Sequence, residues 1–174
     1  MNNENKYNIR LYGDPVLRHT AVKVIDFSEA VRNIANGMME TLLEENGLGL
    51  AAPQVGISDR IVVIDRSTQE NGSDLWVIVN PEIAALEGEC TYEEGCLSLP
   101  KLYEDVVRPE FVRLNYQDLE GNEQVAELEG MMARVVQHEA DHLNGILFID
   151  RLSAVKRQFL AKSLKSLAEK GTID

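Results

Sequence analysis

Gln137-His138-Glu139-Ala140-Asp141-His142 sits inside a stretch, from about Gly130 to Leu143, that carries helical periodicity and ends at Asn144-Gly145. Its other residues, Met131, Met132, Val135, Val136 and Leu143 among them, leave little polar surface. A helix that is apolar nearly all round belongs in an interior. On an α-helix, positions four apart differ by about 40° of rotation, so His138 and His142 project from one face roughly one turn apart. Two imidazoles and a carboxylate buried bare would be costly. A shared metal ion resolves that cost, and it places Glu139 beside the ion, where it can take a proton from water. The fold is thereby constrained to layers built around a buried helix.

The rest of the chain supplies such layers. Val31, Ile34, Ala35, Met38, Met39 and Leu42 recur at helical spacing, which predicts a helix from about Ser28 to Glu44, with Asp26 or Ser28 as N-cap and Asn46-Gly47 as the stop. A third helix follows Ser153, with Val155, Phe159, Leu160, Leu164 and Leu167 on one side and Arg157, Lys162 and Lys165 opposite. Between the first two helices, Ile61 to Asp65, Leu75 to Asn80, a segment around Glu82 to Thr91 and Phe111 to Asp118 read as strands, and Gly121-Asn122 turns the last into Glu123 to Leu128. Helix, several antiparallel strands, helix, helix is an α+β order. With no repeat, low-complexity tract or Gly/Ser linker, one domain spanning 1–174 is expected.

Charge narrows the function classes. The 174 residues hold 17 basic and 29 acidic side chains, a net charge of −12, which argues against a general DNA- or RNA-binding surface. The excess is uneven. From Arg151 onward six basic residues face two acidic ones, a balance of +4 that leaves −16 on the remainder. Such a cationic tail on an acidic body can meet a polyanion. No apolar run approaches the ~18 to 20 residues that span a bilayer, and Met1 to Arg10 is polar and lacks an apolar signal region. Cys90 and Cys96, without a secretory context, read as cytosolic free thiols or metal ligands rather than a disulfide, so the expected location is cytoplasmic.

A catalytic metal site needs a third protein ligand and an open position. His19 is the only other histidine. Gly145 stands where the extended three-histidine protease pattern has its glycine, but Phe148 occupies the last ligand position. Lys162 stands where a glutamate ligand is expected ~20 residues beyond the helix, with only Glu169 near. A cysteine remains. Cys96 lies in Glu94-Gly95-Cys96-Leu97-Ser98-Leu99-Pro100, where Gly95 removes bulk beside it, whereas Cys90 has no comparable setting and reads as packing. A third segment, Gly47-Leu48-Gly49-Leu50-Ala51-Ala52-Pro53-Gln54-Val55-Gly56, has small residues that admit a close backbone and a Gln54 amide able to donate to an oxyanion.

Together, Gly47 to Gln54, Glu94 to Ser98 and Gln137 to His142 resemble the three motifs of the peptide deformylase family, in the family's order and at compatible separations. The likeness extends over most of the chain, including Gly13 to Arg18. It implies an α+β fold in which antiparallel sheets surround a central metal-binding helix, with a C-terminal helix after it. It implies Cys96, His138 and His142 as metal ligands, Glu139 as general base and later acid, and Gln54 with the Leu97 backbone N–H as the oxyanion hole. The family is characteristically an Fe(II) enzyme, with Zn, Ni or Co as substitutes, and it acts on N-formylmethionyl peptides. By the same resemblance Leu48, Tyr92, Met131, Arg134, Val135 and His138 line a methionine pocket, with Arg134 turning its guanidinium outward. Glu94 lies at the edge, paired with Arg108, and the peptide runs extended along Leu48-Gly49 and Gly95. The basic C-terminal helix then gains a use in docking on the ribosome. A zinc peptidase cutting internal bonds and a metal-stapled binding protein are the competing readings. The first lacks its third histidine, and the second lacks a fourth ligand.

Overall fold

The computed structural model describes residues 6–67 and 74–171, so part of the polar N-terminal stretch lies outside the described residues. Among the described residues three α-helices and seven strands follow in chain order: α1 (Glu29–Glu44), β1 (Gly49–Ala51), β2 (Ile61–Asp65), β3 (Leu75–Glu87), β4 (Cys90–Gly95), β5 (Tyr103–Arg108), β6 (Phe111–Gln117), β7 (Glu123–Glu129), α2 (Gly130–Leu143) and α3 (Ala154–Gly171). This is the expected α+β architecture. A five-stranded antiparallel sheet runs β1-β2-β3-β6-β7, and β4 and β5 form a separate two-stranded sheet.

Strand β2 explains how the layers stack. Its Ile-Val-Val-Ile run is buried on both faces. Ile61 and Val63 pack with Met38 and Leu42 of α1 and with Leu50, whereas Val62 and Ile64 pack with Ala51, Ile78, Leu114, Val135 and Val136. The sheet is therefore sandwiched between α1 and α2. A third apolar cluster, Leu99, Leu102, Val106, Leu147, Phe148, Ile149, Leu152 and Leu164, seats the two-stranded sheet and α3. Helix α2 is central in the expected sense, with every residue from Ala133 to Leu143 buried.

Helix α1 ends as its sequence implies. Asn46 adopts φ 53°, the Gly47 N–H reaches Leu42 O and the Asn46 N–H reaches Leu43 O, a Schellman closure with asparagine in the left-handed position. Ser28 occupies the N-cap position without a side-chain capping bond.

Several expectations give way. The two strands read at 75–80 and 82–91 are one strand to Glu87, interrupted by register shifts from Val79 to Glu82 and from Ile83 to Ala85, with Asn80 at φ 52°. Proline at position 81 breaks the ladder locally without ending the strand. Cys90–Gly95 belongs to the separate hairpin with β5. On α3, Leu164 is buried, whereas Val155 and Phe159 are exposed at 64% and 83%. Leu160, Leu164 and Leu167 share one stripe at 3.6-residue spacing, and Phe159 and Val155 fall roughly 100° and 140° off it.

Candidate metal centre and catalytic site

Three segments converge on the face of α2. Cys96 follows directly on β4, His138 and His142 are one turn apart on α2, and Gly49 and Gln54 come from β1 and the 3₁₀ turn after it. The Cys96 Sγ lies 3.3 Å from His142 Nε2, which lies 3.3 Å from His138 Nε2, and all three donor atoms fall within 4.8 Å of one another. Donors around one tetrahedral ion with bonds of ~2.0 to 2.3 Å sit about 3.3 to 3.8 Å apart, so this spacing fits a single ion. One thiolate and two imidazoles form a donor set suited to a first-row transition metal. Among the described residues this is the only such group of three.

The imidazoles have different surroundings. His138 Nδ1 faces Glu94 Oε2 at 3.0 Å, the arrangement in which a carboxylate fixes the tautomer and leaves Nε2 free to ligate. His142 Nδ1 is buried with no hydrogen-bond partner among the described residues. Burial opposes charge on His138, but its hydrogen bonds with Cys96 and Glu94 hold its pKa well above the ordinary value. Burial, reinforced by the charge on His138, pushes His142 well below.

Glu139 is 4% exposed, and its Oε2 has no partner among the described residues. Burial pushes its carboxyl up to about 7, with His138 and Arg108 pulling the other way, so it is poised to exchange a proton near neutrality. The room it needs comes from Gly49: a Cβ built there would stand 2.6 Å from Glu139 Oε1. The Gln54 amide is oriented by the Ala51 N–H, which donates to Oε1 at 2.9 Å. Its Nε2 is thereby aimed at Ser98 Oγ, 3.3 Å, and Cys96 Sγ, 3.5 Å.

A buried charge network backs the site. Arg108, 1% exposed, donates from Nε and Nη2 to Glu94 at 2.5 and 2.9 Å and from Nη1 to Asp141 at 2.9 Å. Arg151 holds the other side of Asp141 with two bonds, at 2.5 and 2.6 Å. Burial resists ionisation of Glu94, but His138 and Arg108 overcome it and keep the carboxyl far below the usual range. Arg134 departs from the sequence reading: its guanidinium is turned inward, donating to Glu94 Oε1 at 2.6 Å, Cys90 O at 2.8 Å and Val106 O at 3.0 Å. Glu94 and the two carbonyls lie far away in sequence, and their acceptors make burial of the charge tolerable. Cys90, read as packing, lies with its Sγ 3.3 Å from Arg134 Nη2.

A cavity of about 580 Å³ opens beside Cys96 and His138, with His142 buried behind its wall. Leu48, Gly49, Gln54, Glu94, Gly95, Cys96, Leu97, Met131, Arg134, Val135, His138 and Glu139 all line it. Tyr92 does not. It is 58% exposed, with its ring 5.9 Å from the Arg134 guanidinium. Asp141 and Ser98 lie in the motifs quoted above but receive no role from the sequence, and Arg151 is read there only as part of the basic tail. Asp141 carries a signal, because a buried aspartate requires a cation beside it.

The profile of the polypeptide deformylase family matches residues 6–158. A peptide deformylase of Thermus thermophilus is 49% identical over 164 residues, covering 87% of this chain and 85% of that protein. The crystal structure of a peptide deformylase from Thermus thermophilus superposes with a TM-score of 0.88 at 48% identity, covering 94% of this chain and 98% of that one. A plant peptide deformylase, PDF1B, gives a TM-score of 0.90 at 33% identity, covering 94% and 90%.

Proposed function

The chain belongs to the peptide deformylase family of hydrolases, and from that membership we propose that it removes the N-formyl group from the formylmethionine of nascent polypeptides by metal-assisted hydrolysis, as one catalytic domain. The observation that carries the mechanism is the meeting of Cys96, His138 and His142 donor atoms beside the buried Glu139 carboxylate and the Gln54 amide. A divalent ion held by Cys96, His138 and His142 would supply a Lewis acid for the formyl oxygen and acidify a water. Fe(II) is the resident ion in this reading, with Zn, Ni or Co as substitutes.

Glu139 accepts the proton of the attacking water at its carboxylate and returns it to the leaving amine, which yields formate and a free N-terminus. As charge gathers on the formyl oxygen, Gln54 Nε2 and the Leu97 backbone N–H donate to it, each such donor being worth roughly 3 kcal/mol. Leu48, Met131 and Val135 receive the methionine side chain, with Glu94 and the stem of Arg134 at the edge and Tyr92 outside the wall. β1 is an edge strand of its sheet, so an extended peptide can run along Gly49 with Gly95 opposite, recognised through backbone hydrogen bonds.

No helix among the described residues is long and apolar enough to cross a membrane. The expected setting is the cytoplasm, at the ribosome, with α3 presenting exposed Arg157, Lys162 and Lys165 to ribosomal RNA or protein. Co-sedimentation at low salt tests this, and unchanged binding after deletion of α3 would reject it. The chemistry is tested by formate release from a formyl-Met peptide, run beside an unformylated one. Release confined to the formylated peptide supports the proposal, and cleavage of internal bonds overturns it. Metal analysis of anaerobically purified protein tests the identity of the ion.

A further inference from the structure

We propose that Arg134 is a positioning residue for the metal centre, acting through Glu94 on the imidazole of His138; this rests on the assignment of His138 as a ligand. The β4–β5 hairpin carries Glu94 and leads directly into Cys96, and among the described residues it is a two-stranded sheet of its own with no ladder to the larger one. Side-chain bonds to α2 therefore help to set where the hairpin sits.

Glu94 is the meeting point, with four donors on two oxygens. Oε1 receives Arg108 Nε and Arg134 Nη1 at 2.5 and 2.6 Å, and Oε2 receives Arg108 Nη2 and His138 Nδ1 at 2.9 and 3.0 Å. Arg108 rides on the same hairpin as Glu94, paired with Cys90 across the ladder, and its Nη1 ties the hairpin to α2 through Asp141. Arg134 ties Glu94 itself to α2, at the turn before His138. It is on α2 four residues before His138, which is four before His142, so all three share one face of the helix. Its planar fork spans both strands of the hairpin, through Cys90 O on β4 and Val106 O on β5, while the same Nη1 holds Glu94. One side chain thus fixes the carboxylate laterally at the height of the next helical turn, where Oε2 meets Nδ1. The ring nitrogen opposite, Nε2, is held toward Cys96 and His142 in consequence.

The test uses the full chain, ¹⁵N-labelled and loaded with Zn(II) as the probe ion. It reads the His138 Nδ1–H resonance, the rate of Zn(II) release to a chelator, and kcat and KM on a formyl-Met peptide. Partners behind a metal ligand are worth about 10- to 100-fold in affinity or activity. Because Arg134 stands one bond further out, Arg134→Met is expected to lose the slowly exchanging resonance, release Zn(II) about tenfold faster and lower kcat about tenfold, with KM within about twofold. Arg134→Lys, which keeps a cation for Glu94 but cannot span both strands, is expected to restore the resonance only in part. Should Arg134→Met fail to fold, Arg134→Gln replaces it under the same readings. The proposal is overturned if the neutral variant keeps the resonance and the release rate, if only KM rises, or if the lysine variant loses the resonance as completely as the neutral one. If His138→Ala holds Zn(II) as tightly as the parent chain, the ligand assignment itself fails, a result separate from any outcome at Arg134.

Discussion

Replacing Gly49 by alanine separates packing from chemistry at the centre of the site. The added Cβ would stand 2.6 Å from Glu139 Oε1 and 2.9 Å from both Glu139 Cγ and Val135 Cγ1. Ordinary contact begins near 3.4 Å, so the carboxylate has to retreat by about 0.8 Å. The carboxylate is the free end of a side chain and can move at small cost, whereas Val135 is buried in α2. Overpacking of this kind costs about 1 to 3 kcal/mol, and glycine to alanine returns about 0.4 to 1 kcal/mol by restricting the unfolded chain. A net loss near 1 kcal/mol follows, a fall in Tm of about 2 to 4 °C. Catalysis suffers more, because a misplacement of about 1 Å costs on the order of 100-fold. Gly49→Ala is therefore expected to keep its metal, melt almost normally and lose about 10- to 100-fold in kcat, equivalent to ~1.4 to 2.7 kcal/mol of barrier. Thermal melts, metal analysis and formate release measure these three quantities. If kcat stays within twofold of the parent while KM rises, Gly49 clears a path for the peptide and the steric link to Glu139 is wrong.

Other perturbations address the remaining parts. Glu139→Gln should keep full metal content and lose nearly all turnover; near-normal formate release would remove Glu139 from the proton transfers. Asp141→Ala takes from buried Arg108 one of its two carboxylate partners and frees Arg151, so a loss of about 3 kcal/mol, or roughly 6 to 12 °C in Tm, is expected by calorimetry. Asp150 is partly buried, which opposes its ionisation, but Arg18, the Leu147 N–H and Arg157 hold its pKa below the ordinary value. Its contribution is complete above the unfolded value of about 3.9 and is lost as pH falls through the lower folded one, so urea melts of Asp150→Asn should show a shallower acid dependence below about pH 4. Chelation of the ion should lower Tm, since a ligand at a hundredfold its Kd contributes about 2.7 kcal/mol; an unchanged melt would mean the triplet holds no ion.

What the sequence discloses here follows the range of the interaction concerned. Helix α2 was legible because its period, its stop at Asn144-Gly145 and its pair of histidines are all local, and the double-sided burial of β2 is written in four consecutive β-branched residues. β1 was hidden because its three residues read as glycine-rich loop, and β5 because Glu104 and Asp105 interrupt its apolar pattern in a hairpin that is open to solvent on one face. The charges behind the site depend on still longer reach. Arg134 meets Glu94 across 40 positions and Cys90 across 44, and nothing beside it in the chain announces either partner. An outward guanidinium was the natural expectation for an isolated arginine on a buried helix. The buried charges on α2 still impose a condition that sequence alone could have enforced: Arg134 and Asp141 sit in an interior, and unpaired charges there are too costly to keep. Glu94 and Arg108 flank the same short hairpin, one beside the cysteine motif and the other at the end of the facing strand. Pairing Glu94 with Arg134 and Arg108 with Asp141 matches charge between the two elements and holds the hairpin, and Cys96 with it, against the histidine face.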